Sequence, residues 1–328
     1  MKRFYVILAC VAAAVGAGFF IKTGLSENST GDVISAAPSA PPVLAGDASA
    51  RPAPGAQTSD TLANRQLDVL LAQALTPSAK QIGDEDARGK LRKLISEDPL
   101  ILRQLIGRYD KETNVNARQL IVSLLSSVEK PEVLAFSKRL ATSADMAQRQ
   151  DGLGMMQNLS VDLAELHPIF LQILANEKKP ALILLTLGAL KPPVPVAENS
   201  SKEARAVDMA QQDAIVTQLQ NLSKNIDPEI RLQSVLQLAQ WDKADSSAQY
   251  WAQALADSSS QVRQAAVTGI AQSGTQSDKV KTALISMANN PNEAPDTRGN
   301  ALQVLERFKM NEDEAEKLRQ LRAQVFAR

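Results

Sequence analysis

Histidine and cysteine occur once each, as His167 and Cys10, in 328 residues, and aromatic residues make up 4% of the chain. A metal or nucleophilic centre usually draws on several His, Cys or clustered carboxylates, so only the carboxylates remain in number for such chemistry. One Cys leaves no intrachain disulfide. Net charge is lacking as well: 36 basic residues balance 36 acidic ones. Nothing therefore draws the chain to a phosphate backbone or an anionic lipid surface, and nucleic acid is not an expected partner. No glycine elbow or phosphate loop surrounds Ser200, Ser201 and Lys202, and His167, followed by Pro168 with Glu165 nearby, reads as a helix start. No catalytic residue, metal, cofactor or small-molecule substrate is expected. What is abundant is Ala, Leu and Gln, the usage of packed helices.

Lys2 and Arg3 precede an unbroken apolar run, residues 4–21, that ends at Lys22. Eighteen residues rise about 27 Å as a helix, close to the roughly 30 Å of a hydrocarbon core. The positive flank keeps the first residues inside and sends the rest across. A retained signal anchor over residues 1–22 fits the length and the absence of a clean small-x-small site at the end of the run. A signal cleaved after Val15, Gly16 and Ala17 would leave Phe19, Phe20 and Ile21 opening the mature chain. A lipoprotein signal ending at Cys10 has only Phe4 to Ala9 before it and the bulky Leu8 where a small residue is usual. All three readings export the chain.

Residues 23–60 form a second region. Between Ala36 and Gln57 there are five Pro and eight Ala in 22 residues, a composition that buries too little apolar surface to offset its ordering entropy. A disordered linker is expected, reaching on the order of 35 Å as a flexible coil.

From Leu62 onward apolar residues recur at three and four spacing, with Pro, Asp, Asn or Gly at the breaks. One grammar repeats, clearest from Asp257 to Gly274: an acidic turn, a small or apolar residue, an Arg, then apolar positions three, four and seven residues on. It places Arg88, Arg118, Arg149, Arg231, Arg263 and Arg298 at successive distances of 30, 31, 82, 32 and 35 residues. The gap of 82 holds an Arg-less copy at Pro180 to Leu190 and an insertion, residues 191–206. Between the Arg-bearing helices the pattern predicts partner helices at Leu62–Leu75, Leu100–Tyr109, Val133–Leu140, Ile169–Leu174, Ile215–Leu222, Ala248–Leu255 and Val280–Ala288. A two-helix period of this length is a solenoid signature, each pair needing its neighbours to bury its stripe. Residues 311–328 read as a capping helix, started by Asn311, with acidic residues early, basic ones late and Leu318, Leu321 and Val325 as its seam.

Asp257, Val262, Arg263, Ala266, Val267, Ile270 and Gly274 resemble the second helix of a HEAT-like repeat of the HEAT/PBS-lyase type. Asp227-Pro228-Glu229-Ile230-Arg231 has the same start. The resemblance implies an all-α fold, a solenoid of about seven two-helix HEAT-like repeats over residues 61–310, following the transmembrane helix and the linker. It also implies protein binding more than chemistry.

Three features are candidates for a role. The six Arg residues read as structural, each bonding an acidic side chain or helix-end carbonyl between repeats, with Asp145, Asp227 and Asp257 recurring just upstream. In the insertion, Pro192, Pro193 and Pro195 force an extended excursion that is a candidate partner-binding loop. Trp241, beside Asp242 at a helix end, is the candidate exposed aromatic anchor, whereas Trp251 keeps core spacing.

The sequence thus predicts a non-catalytic scaffold or adaptor, single-pass in the inner membrane of a Gram-negative-like bacterium through residues 4–21. Its solenoid lies in the periplasm, or is soluble there after cleavage, and holds a protein partner of the cell envelope. A membrane-tethered periplasmic chaperone is an alternative. The anchor, spacer and helical clamp resemble the layout of lipase-specific foldases, although their Arg-x-x-Phe-Asp-Tyr motif is absent. A bilin-lyase-like HEAT enzyme is a second alternative, at odds with so few His, Cys and aromatic residues.

Overall fold

The structure, a computed structural model, describes residues 56–75, 87–159, 164–191, 201–242 and 245–326, all within the compact unit Pro52–Arg328. Among the described residues there are fifteen α-helices, two 3-10 turns and no strand. The helices are α1 Ala56–Leu75, α2 Ala87–Glu97, α3 Pro99–Tyr109, α4 Val115–Leu125 and α5 Pro131–Ala141. They continue with α6 Met146–Gln157, α7 His167–Asn176, α8 Pro180–Ala189, α9 Lys202–Leu222 and α10 Pro228–Trp241. The last five are α11 Ala248–Leu255, α12 Ser260–Ser273, α13 Asp278–Asn289, α14 Pro295–Leu305 and α15 Glu312–Phe326.

Local chemistry sets these boundaries. Pro stands in the first turn of α3, α5, α7, α8, α10 and α14, where its missing N–H would have had no helical partner anyway. The side chains of Asp98, Asn114, Asp145 and Asp227 accept first-turn N–H groups of α3, α4, α6 and α10, which satisfies donors the helix leaves open. At α15 the Asn311 carboxamide oxygen accepts the Glu314 N–H while the Glu314 carboxylate accepts the Asn311 N–H, a reciprocal capping box. Gly274 closes α12 with φ 71°, a conformation that costs Gly little.

The helices pair as α1/α2 through α13/α14, with α15 at the end. Even-numbered helices form one row in which each packs on the next, from α2 to α14. Odd-numbered helices form the other row, but the contacts α5–α7 and α9–α11 do not reach the extent of α1–α3, α3–α5, α7–α9, α11–α13 and α13–α15. The even row is therefore the continuous one. The seven pairs are those the repeat grammar predicts, including the Arg-less copy, which forms α8.

The buried apolar stripe has a seam. One cluster runs from Leu67 to Met155 and a second from Ala141 to Phe308. They interleave where α5 meets α6: Leu140 and Met155 belong to the first, Ala141 and Met156 to the second. The seam coincides with a close backbone approach. A Cβ on Gly152 would lie under 3.0 Å from the Ala141 amide nitrogen, the Ser137 carbonyl oxygen and the Leu140 Cβ. Where two backbones touch, no large side chain can bridge from one cluster to the other.

Two boundaries differ from the sequence reading. Helix α1 starts at Ala56, directly after Pro54 and Gly55, so the last residues assigned to the linker are helical. Helix α9 starts at Lys202, inside the assigned insertion, because no Pro or Gly follows Ser201 and the run KEARAVDMA favours helix. The apolar run 4–21, Cys10, most of the linker, and Pro192, Pro193 and Pro195 lie outside the described residues. Among the described residues no helix is long and apolar enough to cross a membrane.

Candidate functional site

The repeated Arg residues sit in the first turn of the even-numbered helices, and three of them bond in one pattern. Arg231 donates from Nη1 to the carbonyls of Asn225 and Ile226, in the turn before its own helix, at 2.9 and 3.0 Å. Its Nε and Nη2 donate to both carboxylate oxygens of Asp257, in the turn before α12, at 2.8 and 2.7 Å. Arg263 repeats this with the carbonyls of Asp257 and Ser258 and, at 2.6 and 3.1 Å, the carboxylate of Glu293. Arg149 holds the carbonyls of Ser143 and Ala144, and its Nε lies 3.4 Å from the Glu177 carboxylate. Each guanidinium thus ties the turn of its own pair to the turn of the next one.

Arg118, Arg298 and Arg88 depart from the pattern. The Arg118 guanidinium lies 4.7 Å from the centroid of the Tyr109 ring. The Tyr109 hydroxyl donates to Asp151 at 2.6 Å. Burial pushes the Asp151 carboxyl above its ordinary value, against the lowering effects of the Tyr109 hydroxyl and the Arg118 charge. Burial also raises the Tyr109 phenol, as does its bond to Asp151. Arg298 donates from Nε to the Ala288 carbonyl at 2.9 Å, and Arg88 is exposed at the start of α2.

The carboxylate partners differ from the sequence pairing. Asp257, read as the partner of Arg263, gives Arg263 only its backbone carbonyl; its side chain goes to Arg231 and to the Ser259 N–H. Burial raises the Asp257 carboxyl, but the Arg231 bond and the Ser259 N–H outweigh it and hold the group below the usual aspartate range. In Glu177 burial is likewise outweighed, by the N–H groups of Lys179 and Lys178 and by Arg149. The sequence reading passed over Glu177 and Glu293. The available signal was an acidic residue one repeat beyond each Arg, 26 residues on for Asp257 and 30 for Glu293.

Glutamine supplies further cross-pair bonds that composition alone did not locate. Gln157 donates to the Leu185 carbonyl, Gln218 to that of Leu174, and Gln237 to those of Leu187 and Leu190. Leu174 and Leu187 lie in the last turns of α7 and α8, whose carbonyls lack intrahelical donors, and Leu190 caps α8.

Trp241 is not the exposed anchor the sequence suggested, since it is 3% exposed. Ile230, Ser234 and Leu238 precede it at helical spacing and are all buried, so the last turn of α10 carries its ring onto the same stripe. There it meets His167 edge to face, ring centroids 5.3 Å apart. Asp242 is buried beside it and accepts the Ser247 N–H and the Ser246 hydroxyl. This corner is structural.

Open grooves accompany the Arg pairs. One, of about 420 Å³, lies between α11 and α13 and is lined by Asp257, Arg263 and Glu293 among others. Another, of about 310 Å³, lies between α5 and α7 beside Arg149 and Glu177. They occupy the same place in different repeats. A third, of about 610 Å³, crosses the outer face of α4 and α6 between Gln119, Ser123, Gly154 and Asn158. Among the described residues no three His, Cys, Asp or Glu side chains come together as a metal site.

A family model described as HEAT repeats matches residues 215–306 and, overlapping them, residues 248–325. The search of curated proteins finds no match. Among solved structures, the chain is similar to the Escherichia coli protein YibA at 13% identity and a TM-score of 0.47, over 70% of this chain and 77% of that one. It is also similar to the complex of CpcE and CpcF of phycocyanin lyase from Nostoc, at 14% identity and a TM-score of 0.37, over 79% and 94%. Human deoxyhypusine hydroxylase matches at 12% identity and a TM-score of 0.29, over 77% and 99%. The last three helix pairs and the terminal helix thus carry the match to HEAT repeats, and the whole described chain is an all-helical stack of pairs.

Proposed function

We propose that the chain is a non-catalytic scaffold or adaptor, exported and held at the inner membrane through residues 4–21, whose helical stack binds a protein partner in the cell envelope. The observation that carries this reading is repetition. Two equivalent open grooves, three helix pairs apart, lie beside Arg149 and beside Arg263. The same feature offered at two separated pairs suits a long partner that touches several pairs at once, not a small substrate enclosed at one point. The charged side chains nearest those grooves are taken up in holding pair to pair, which keeps the surface in one shape for that partner.

Chemical crosslinking of the full chain in intact envelopes, followed by mass spectrometry, tests the reading. A discrete protein adduct mapping to residues 87–326, together with protease protection of the C-terminal region until the outer barrier is opened, is the expected result. An absence of protein adducts, or a C-terminal region exposed to the cytosol, would overturn it.

A further inference from the structure

Helix α9 outruns its neighbours. It spans 21 residues, whereas α7 and α11, before and after it in the odd row, span 10 and 8. Its buried side chains, Ile215, Leu219 and Leu222, all lie towards its C-terminal end, and the helices it packs on are α7 and α10. Among the described side chains from Lys202 to Ala214 none is buried, and that stretch runs roughly 20 Å at the rise of an α-helix. Val207 is 59% exposed and Met209 64%. A helix of this length draws most of its stability from tertiary packing, so the extension carries a face left to cover. Lys202, Ala206, Met209 and Asp213 follow one another at intervals of four, three and four residues and therefore share one side of α9. All four are exposed, and the turn per residue sets that side away from Ile215, Leu219 and Leu222. No ion pair among the described residues involves Lys202 or Asp213.

We propose that this side of α9 pairs with the same side of a second copy of the chain, the two helices running antiparallel about a two-fold axis. The pattern is its own complement. With the axis between Val207 and Asp208, Lys202 meets Asp213 of the second copy, Asp213 meets its Lys202, and Ala206 and Met209 meet Met209 and Ala206. An isologous contact requires this reciprocity. A parallel pairing would set Lys202 against Lys202 and Asp213 against Asp213, so charge selects the antiparallel one. Opposed macrodipoles favour the same choice. The small Ala206 facing the long Met209 lets the helix axes approach to about 8–10 Å, and intervals of three and four residues suit packing at about +20°. Arg205, at the edge of the face, falls opposite Gln212 of the second copy rather than opposite another charge. One helix face is smaller than the roughly 1,200 Å² of the stable interfaces, so the pairing is weak and reversible. It stands apart from the scaffold reading, since it needs no envelope partner.

The test is thiol crosslinking of the full chain in detergent with a short bismaleimide, Cys10→Ser removing the native thiol and Ala206→Cys or Lys317→Cys supplying a new one. A covalent dimer from position 206 and little or none from position 317, on α15, is expected. Lys202→Asp or Asp213→Lys, each added to Ala206→Cys, should lower the dimer yield at least about fivefold, a change of about 1 kcal/mol, at protein concentrations where the parent pairs only in part. The two swaps together should restore it, with every variant keeping the parent helical circular dichroism. Lys202→Asp puts an acid in the first turn of α9, where the helix dipole favours it, so a loss there does not come from fraying. No dimer from position 206, or equal dimer from both positions, would overturn the proposal. So would yields indifferent to the single swaps, the outcome if copies associate through residues 4–21, or a double swap that fails to restore the dimer.

Discussion

The guanidinium of Arg231 and the carboxylate of Asp257 face each other in a two-pronged pair, 2.7 and 2.8 Å, across the boundary between one helix pair and the next. Both side chains are largely shielded, at 14% and 11% exposed, so the pair is worth more than a surface ion pair. Arg231→Ala is expected to lower unfolding stability by about 2 kcal/mol, read from urea denaturation followed by circular dichroism. Double-mutant cycles of Arg231 with Asp257 and of Arg263 with Glu293 should each show coupling of about 1 kcal/mol or more. The same cycle on Arg263 with Asp257 should show less, because their contact runs through the Asp257 backbone carbonyl, which substitution leaves in place.

The pH dependence of that pair follows from its direction. The Asp257 carboxyl is held below its ordinary value of about 3.9, so its contribution is fully present above that value. It is lost as pH falls below it, through the folded-state value. Asp257→Asn should therefore flatten the acid limb of a stability-against-pH curve below about pH 4. Asp151 has the opposite sign, because its carboxyl is raised by burial and the folded chain takes up its proton more readily than the unfolded chain does. Asp151→Asn should make the acid limb steeper. Equal curves for the parent and both variants would contradict the assignment.

Two glycines two residues apart should respond in opposite directions. Gly152→Ala drives a methyl group into the backbone of α5 and is expected to destabilise by about 1–3 kcal/mol. Gly154→Ala meets open space and is expected to stabilise by about 0.5–1 kcal/mol, the helical preference of Ala over Gly. Thermal melts of the two variants check this, and equal shifts would contradict the close approach of α5 and α6.

Both tryptophans are buried, Trp241 at 3% and Trp251 at 0% exposure. Native fluorescence should therefore be blue-shifted and resist acrylamide quenching, moving to the red only on unfolding. Trp241→Ala should cost about 3–5 kcal/mol, with partner binding lost only along with the fold. A variant that kept full stability but lost the partner would restore Trp241 as an anchor.

The sequence reveals the parts of this fold set by local rules. Gly274, the Pro-started helices, the Asn311 cap and the Arg-less α8 all follow from caps and spacing within one helix. It conceals what depends on a second helix. Trp241 looked exposed because it ends its helix beside an acidic residue, yet it continues the Ile230, Ser234 and Leu238 stripe and is covered. The carboxylate partners of Arg149, Arg231 and Arg263 lie not in the preceding turn, where Asp145 and Asp227 cap helices and Asp257 is taken by Arg231, but in the next one. No single-helix pattern predicts the seam at Gly152, since it lies where two backbones approach.

Photo-crosslinking in intact cells, with a photoreactive residue at Ser286 in the groove beside Arg263 or at Lys317 on α15, tests most directly that this stack works by holding a partner. A discrete protein adduct from position 286 and none from position 317 is the predicted result. No adduct from 286, or the same adduct from both positions, would contradict the account.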